Sequence, residues 1–218
     1  RSSQISLSDL DDDEMRHAKD WPFPIRRAMA NNSAIYREKP SAADFLVEWG
    51  VLAKSGSGER GIFNLLSAQN RAPSRRYSPL IQGTNPCGEI MLRDMEFCNL
   101  SEVVVREEDD LDTLLDKVET ATWLGVLQST FTNFPYLRKE WKKNCDVERL
   151  LGVSLTGQMD NPSVLTSEGL KALKSRVLRI SRKASTLLGV NMPVATTCVK
   201  PSGTVSQLVD SASGCHPR

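Results

Sequence analysis

The chain has no long apolar run, which removes a membrane-spanning helix from consideration. It has no secretory opening either. Its five cysteines, at 87, 98, 145, 198 and 215, are odd in number and are expected to be reduced thiols in the cytoplasm. An excess of one charge is also missing: 28 Lys and Arg stand against 27 Asp and Glu, for a net charge of +1. No global field therefore points to nucleic acid or to an acidic membrane. The basic set Arg138, Lys139, Lys142 and Lys143 is broken by Glu140 and Trp141 and has no aromatic stacking series beside it, so no nucleic-acid partner is expected. Histidine is scarce. His17 and His216 stand near opposite ends, and Cys87 and Cys98 lack the short pair spacing of structural zinc, so no metal site is expected. There is no internal repeat and no low-complexity tract.

What the chain does have is reactive chemistry in one place. Thr84-Asn85-Pro86-Cys87-Gly88-Glu89-Ile90 is followed by Phe97-Cys98-Asn99-Leu100. Pro86 fixes one backbone torsion and Gly88 permits torsions closed to other residues, so Cys87 is expected on a tightly specified loop that can aim its side chain. A thiol is easily oxidised and suits nucleophilic, disulfide or radical work. Glu89, two residues on, can address the same small molecule. Cys98 can return across a hairpin, although a spacing of eleven residues does not establish proximity. The competing reading is a plain turn with two small buried cysteines and a surface acid.

A second element, Val199-Lys200-Pro201-Ser202-Gly203-Thr204-Val205-Ser206, follows the apolar run Val190 to Val199. If a helix begins at Thr204, the N–H groups of its first turn and the hydroxyls of Ser202, Thr204 and Ser206 can bind phosphate oxygens, with Lys200 adding charge. The string does not fit the usual Gly-rich Lys-Ser/Thr phosphate loop, and an ordinary loop remains the alternative.

The first string resembles the finger loop of the ribonucleotide reductase large subunit, particularly of its adenosylcobalamin-dependent class. Pro201 to Ser206 resembles the phosphate-contacting element of the same family, in the expected order. The resemblance implies that Cys87 becomes a thiyl radical that removes the ribose 3′ hydrogen, that Glu89 takes the 3′ hydroxyl proton and that Asn85 holds the substrate hydroxyls. Cys98 resembles one half of a dithiol that becomes a disulfide, its partner lying far upstream in the family. Further similarity runs through Arg1 to Leu7, Asn31-Asn32-Ser33-Ala34, Gly58 to Asn64, Asn133 to Tyr136, Arg149 to Ser154 and Ser213 to Arg218. The implied activity is reduction of ribonucleotides to 2′-deoxyribonucleotides, with adenosylcobalamin as cofactor and a thioredoxin-like or other dithiol reductant; a homodimer stays open. One nucleotide, rather than a polymer, is the implied ligand. The short gap from Cys87 to Cys98 favours the cobalamin class over a metal-dependent large subunit. An inactive nucleotide-binding or structural module is the remaining alternative.

At 218 residues and 24.2 kDa the chain is long enough for one domain. Reductases of the family are much longer, so residues 1–218 are expected to be an internal fragment of the catalytic barrel. The fold class expected is α/β, part of a ten-stranded α/β barrel with a central finger loop. Local patterns agree with α/β. Ser41 with Asp44 three residues later starts a helix carrying Phe45, Leu46, Trp49 and Leu52 as an apolar stripe, stopped by Ser55-Gly56-Ser57-Gly58. Gly61 to Leu66 begins another apolar element, and Val103 to Val105 reads as a strand. A long amphipathic helix is expected from Leu111 to Phe131, a short one from Tyr136 to Lys143, a strand from Leu150 to Leu155 and a helix from Glu168 to Leu188. Cys145 and Cys198 read as small core residues.

Overall fold

The computed structural model describes residues 4–56 and 58–217, and the opening residues 1–3, Ser57 and Arg218 lie outside that description. The chain divides into two compact units, Arg1–Asp94 and Met95–Arg218.

The first unit is built on a parallel sheet of β1 (Gln4–Ser8), β2 (Ala30–Tyr36) and β3 (Gly61–Asn64), in that order. Helices α1 (Asp13–Arg16), α2 (Ala42–Ser55) and α3 (Leu65–Asn70) occupy the connections and the segment after β3. Register places Ser33 against Gly61, where a Cβ on residue 61 would come 2.8 Å from the Ser33 hydroxyl and oblige it to turn away. Ile35, Leu65 and Ile81 form a small buried cluster, with Leu7, Phe63 and Met91 packed on it. A hairpin of β4 (Gly83–Thr84) and β5 (Met91–Leu92) ends the unit.

Helix α2 starts where its cap requires, with the Ser41 hydroxyl accepting the Asp44 N–H at 3.1 Å, and ends at Gly56 in the left-handed region. Its inward face differs from the expected stripe. Leu46 is 65% exposed and Trp49 52%, while Glu48 is 5% exposed and is the buried residue of the helix. The reason is electrostatic. Glu48 accepts from Arg60 Nη1 at 3.2 and 3.3 Å and from Arg16 Nε at 2.6 Å. Arg60 Nη2 in turn donates to the Ser8 carbonyl at 3.0 Å and its hydroxyl at 2.8 Å, stitching the end of β1 to α2 through one guanidinium.

The second unit pairs β6 (Asn99–Val104) and β7 (Leu151–Thr156) in parallel. Between them lie α4 (Leu111–Gln128) and α5 (Lys139–Glu148), and α6 (Ser167–Leu188) follows, packed against α4. Asp110 and Thr113 close a reciprocal capping box on α4, and the Thr166 hydroxyl caps α6. The core is apolar: Val103, Val105, Leu114, Val118, Ala121, Val153, Leu173 and Val177. The short helix expected at Tyr136 begins three residues later, because residues 134–137 close a turn through Leu137 N–H to the Phe134 carbonyl at 3.1 Å. The run Val190 to Val199 lies alongside β7, with Leu151 N–H on Ala195 O and Cys198 N–H on Val153 O, yet carries only an isolated bridge at Thr197. Pro193, within it, has no N–H to give. The chain ends its described course after α7 (Val205–Leu208).

The α/β class is as expected. A ten-stranded barrel is not what the described residues form: they make three open sheets of three, two and two strands. Closure would require partners for the edge strands, and among the described residues β7 has only the irregular run 190–199 hydrogen-bonded alongside it. No described helix is long and apolar enough to cross a membrane.

Candidate functional site

Cys87 stands at the tip of the β4–β5 hairpin. Thr84 pairs with Met91, and the Asn85 N–H reaches the Ile90 carbonyl at 3.1 Å, so residues 85–90 form a closed loop. Inside it the Gly88 N–H donates to the Asn85 carbonyl at 3.0 Å across Pro86 and Cys87. Proline in second place and the positive φ on Gly88 (+83°) rather than on Cys87 fit a type I turn. Side chains brace the same loop. Asn85 Oδ1 accepts the Ile90 N–H at 3.0 Å, the Thr84 hydroxyl donates to the Ile90 carbonyl at 2.9 Å, and Asn31 Nδ2 on β2 donates to the Pro86 carbonyl. Buried Ile90 anchors the base.

The two reactive side chains of the loop are placed differently. The Cys87 thiol is exposed and in no disulfide, and Glu89, half-buried, has its Oε2 buried without a hydrogen-bond partner. Asn85 commits its side-chain oxygen to the loop. An open cavity of about 440 Å³ adjoins the tip, lined by Asn31, Asn32, Ser33, Gly61, Pro86 and Cys87 among others. A larger cavity of about 770 Å³, by His17, Trp21 and Lys54, does not include Cys87, and Asn85 and Glu89 line neither cavity. Glu59 is a further acid on the Cys87 cavity, already engaged by Lys19 Nζ at 2.7 Å and the Asn32 N–H at 2.9 Å. Residue chemistry did not single out these wall residues, because parallel pairing of β2 and β3 brings them there and no local spacing encodes it.

In the second unit, Cys98 directly precedes β6, is half-buried and is in no disulfide. Next to it the Phe97 N–H points at Cys145 Sγ, 3.4 Å away. Burial pushes the Cys145 thiol up, with that hydrogen bond pulling the other way, so it is a protonated core thiol. The loop Pro201 to Ser206 has two faces. Ser202 and Ser206 are buried, whereas Pro201, Gly203 and Thr204 are exposed and Val205 is half-buried. Lys200 Nζ and the Ser202 hydroxyl both meet the Glu102 carboxylate. The helix expected at Thr204 is α7, four residues long and without a side-chain cap, too short to lend a helix-terminus field.

No family model matches the chain. Among curated proteins it is 30% identical over 262 residues to the adenosylcobalamin-dependent ribonucleoside-triphosphate reductase of Levilactobacillus brevis, a match covering 99% of this chain and 33% of that protein. The enzyme of the same description from Lactobacillus acidophilus is 30% identical over 255 residues, with the same coverage. A crystal structure described as a B-12 dependent (class II) ribonucleotide reductase superposes with a TM-score of 0.73 at 25% identity, covering 96% of this chain and 34% of that one. The chain is homologous to the ribonucleotide reductases. It spans about a third of the length of these curated reductases. The alignments run over more positions than the 218 residues of the chain, so the relatives carry insertions without counterpart here. The Actinobacillus ureae class Id ribonucleotide reductase alpha subunit has the same fold, with a TM-score of 0.77 at 18% identity, covering 98% of this chain and 49% of that one. Reductases of two classes thus share this fold, and the fold alone does not choose the cofactor.

Proposed function

We propose that this chain carries the radical cysteine and the phosphate loop of an adenosylcobalamin-dependent ribonucleotide reductase, working in a protein of its relatives' length with a complete ten-stranded barrel. The observation that carries the reading is the presentation of Cys87: an exposed thiol at a braced tip, with the unpaired Glu89 Oε2 two residues on. Once oxidised to a thiyl radical, Cys87 takes the ribose 3′ hydrogen and Glu89 accepts the 3′ hydroxyl proton. Asn85 Nδ2 holds a ribose hydroxyl. The dithiol that includes Cys98 gives up two electrons and two protons and becomes a disulfide, the 2′ hydroxyl is replaced by hydrogen and leaves as water, and Cys87 returns the 3′ hydrogen. A thioredoxin-like or other dithiol reductant resets the disulfide in the reducing cytoplasm. Pro201, Ser202, Gly203, Thr204, Val205 and Ser206 receive the substrate phosphates, with Gly203 and Thr204 on the outer face. Adenosylcobalamin supplies the radical initiation when bound, and the exposed Cys87 thiol fits a radical source that arrives from outside the loop.

The test is ribonucleotide reduction by a full-length protein carrying this sequence, purified metal-free, with a dithiol and with or without adenosylcobalamin. Product only with the cofactor supports the reading, and Cys87→Ser is expected to abolish product while nucleotide binding persists. Normal turnover by that variant would remove Cys87 from the chemistry. Product without cobalamin, dependent on a metal-containing second subunit, would favour the metal-dependent reading, for which the likeness to the class Id fold is the motive.

A further inference from the structure

Glu102 lies within β6, and both of its oxygens are taken by the second loop. Oε2 accepts from Lys200 Nζ at 2.8 Å and Oε1 from the Ser202 hydroxyl. Its side chain is 8% exposed and that of Lys200 19%. A carboxylate this far from water is costly unless it is paired and hydrogen-bonded, and here residues about a hundred positions later meet both conditions. The loop is fastened elsewhere too. The Lys200 N–H donates to the Ser154 hydroxyl on β7 at 3.0 Å, and the Ser213 hydroxyl donates to the Pro201 carbonyl at 2.7 Å. Gly214 sits so close that a Cβ there would come 2.6 Å from the Lys200 carbonyl.

Ser202 has φ +53°, in the left-handed region that a serine rarely takes and that persists where the surroundings over-determine it. With its hydroxyl turned in onto Glu102, the next two residues, Gly203 and Thr204, face outward. The Ser206 N–H then closes the loop on the Ser202 carbonyl at 2.9 Å. The orientation of the outer face therefore follows from the grip on Ser202.

We propose that Glu102 is a positioning residue for phosphate binding: it neutralises Lys200, pins Ser202, and so presents the backbone of Gly203 and Thr204 to a nucleotide phosphate. The proposal rests on reading Pro201 to Ser206 as the phosphate loop. Lys200 is then a structural cation whose charge is spent on Glu102, and Ser202 acts through its backbone conformation. The opposite view makes Glu102 a stand-in anion that an arriving phosphate must displace, and it predicts an effect of opposite sign.

Glu102→Gln keeps the shape and removes the charge. The chain and this variant are titrated with CTP and with cytidine, and amide hydrogen exchange across residues 199–214 is followed without nucleotide. Expected are faster exchange confined to that segment and a loss of CTP affinity of roughly tenfold, the scale of one charged hydrogen bond, with cytidine binding unchanged. Adding Ser202→Gly to the variant should recover part of both, because glycine takes a positive φ without steric cost; a general folding defect would not be rescued there. Unchanged exchange, or tighter CTP binding by Glu102→Gln, overturns the proposal. Failure of the unaltered chain to distinguish CTP from cytidine overturns the phosphate reading instead, while the exchange comparison still decides whether Glu102 holds the loop.

Discussion

In Arg1–Asp94 helix α2 buries a carboxylate and leaves its aromatics outside, whereas in Met95–Arg218 the two long helices bury leucine, valine and alanine and keep their charges at the surface. The two arrangements respond differently to substitution. A buried ion pair contributes little net stability while intact, because desolvation offsets the attraction, yet losing one partner strands the other. An apolar core responds by volume, in proportion to the cavity left behind. In the first unit the size of an α2 side chain should therefore matter less than the charge at Glu48.

The largest expected effect tests this. Glu48→Ala leaves the Arg60 guanidinium, 3% exposed, without its carboxylate and should cost about 3–5 kcal/mol. Trp49→Ala, beside it in sequence and far larger, should stay within about 0.5 kcal/mol. Urea unfolding with hydrogen exchange resolved over residues 4–94 measures both. Equal costs would break the comparison.

The second unit should behave in reverse. Leu114→Ala empties a fully buried position between α4 and the sheet, for about 2–5 kcal/mol. Glu119→Ala removes the 2.9 Å contact with Arg176 that joins α4 to α6 on a partly exposed face, for about 1 kcal/mol or less. A charge loss costing as much as the leucine would show that the second unit, too, depends on ion pairing.

What could be read from the sequence follows the same division. The cap at Ser41, the spacing of Leu114, Val118 and Ala121, and that of Leu173, Val177 and Ile180 are local, and the helices stand where those residues put them. Pro86 and Gly88 likewise shape the turn they implied around Cys87. The inward face of α2 was not legible, because Phe45, Leu46 and Trp49 imitate a core stripe while the deciding charges, Arg16 and Arg60, lie outside the helix. Nor were the inward hydroxyls of the second loop, since the partner that turns Ser202 is on a strand about a hundred residues earlier. Asn31, Ser33 and Gly61 joined the Cys87 cavity only through strand register. Cofactor choice leaves no trace in the fold, which reductases of two classes share.

The smallest expected effect sharpens the contrast through pH. Asp146, at the end of α5, accepts from Lys142 Nζ at 2.6 Å, the Thr132 hydroxyl at 2.8 Å and Arg149 Nη2 at 3.1 Å. Burial pushes its carboxyl up, but the hydrogen bonds from Lys142 and Thr132 and the charges of Lys142 and Arg149 outweigh it and hold the carboxyl below the ordinary range. A carboxylate held lower in the folded state than in the unfolded one contributes stability that is complete above the unfolded value of about 3.9 and is lost as pH falls through the folded value. With the side chain 31% exposed, solvent screening limits that contribution to about 1 kcal/mol. Asp146→Asn should therefore be less stable than the unaltered chain by that amount at pH 7, and the gap should close as pH drops below about 4. Urea unfolding at successive pH values measures the gap. A gap that persists unchanged to low pH would mean that Asp146 acts by shape and neutral hydrogen bonding, and that the second unit owes nothing to this charge.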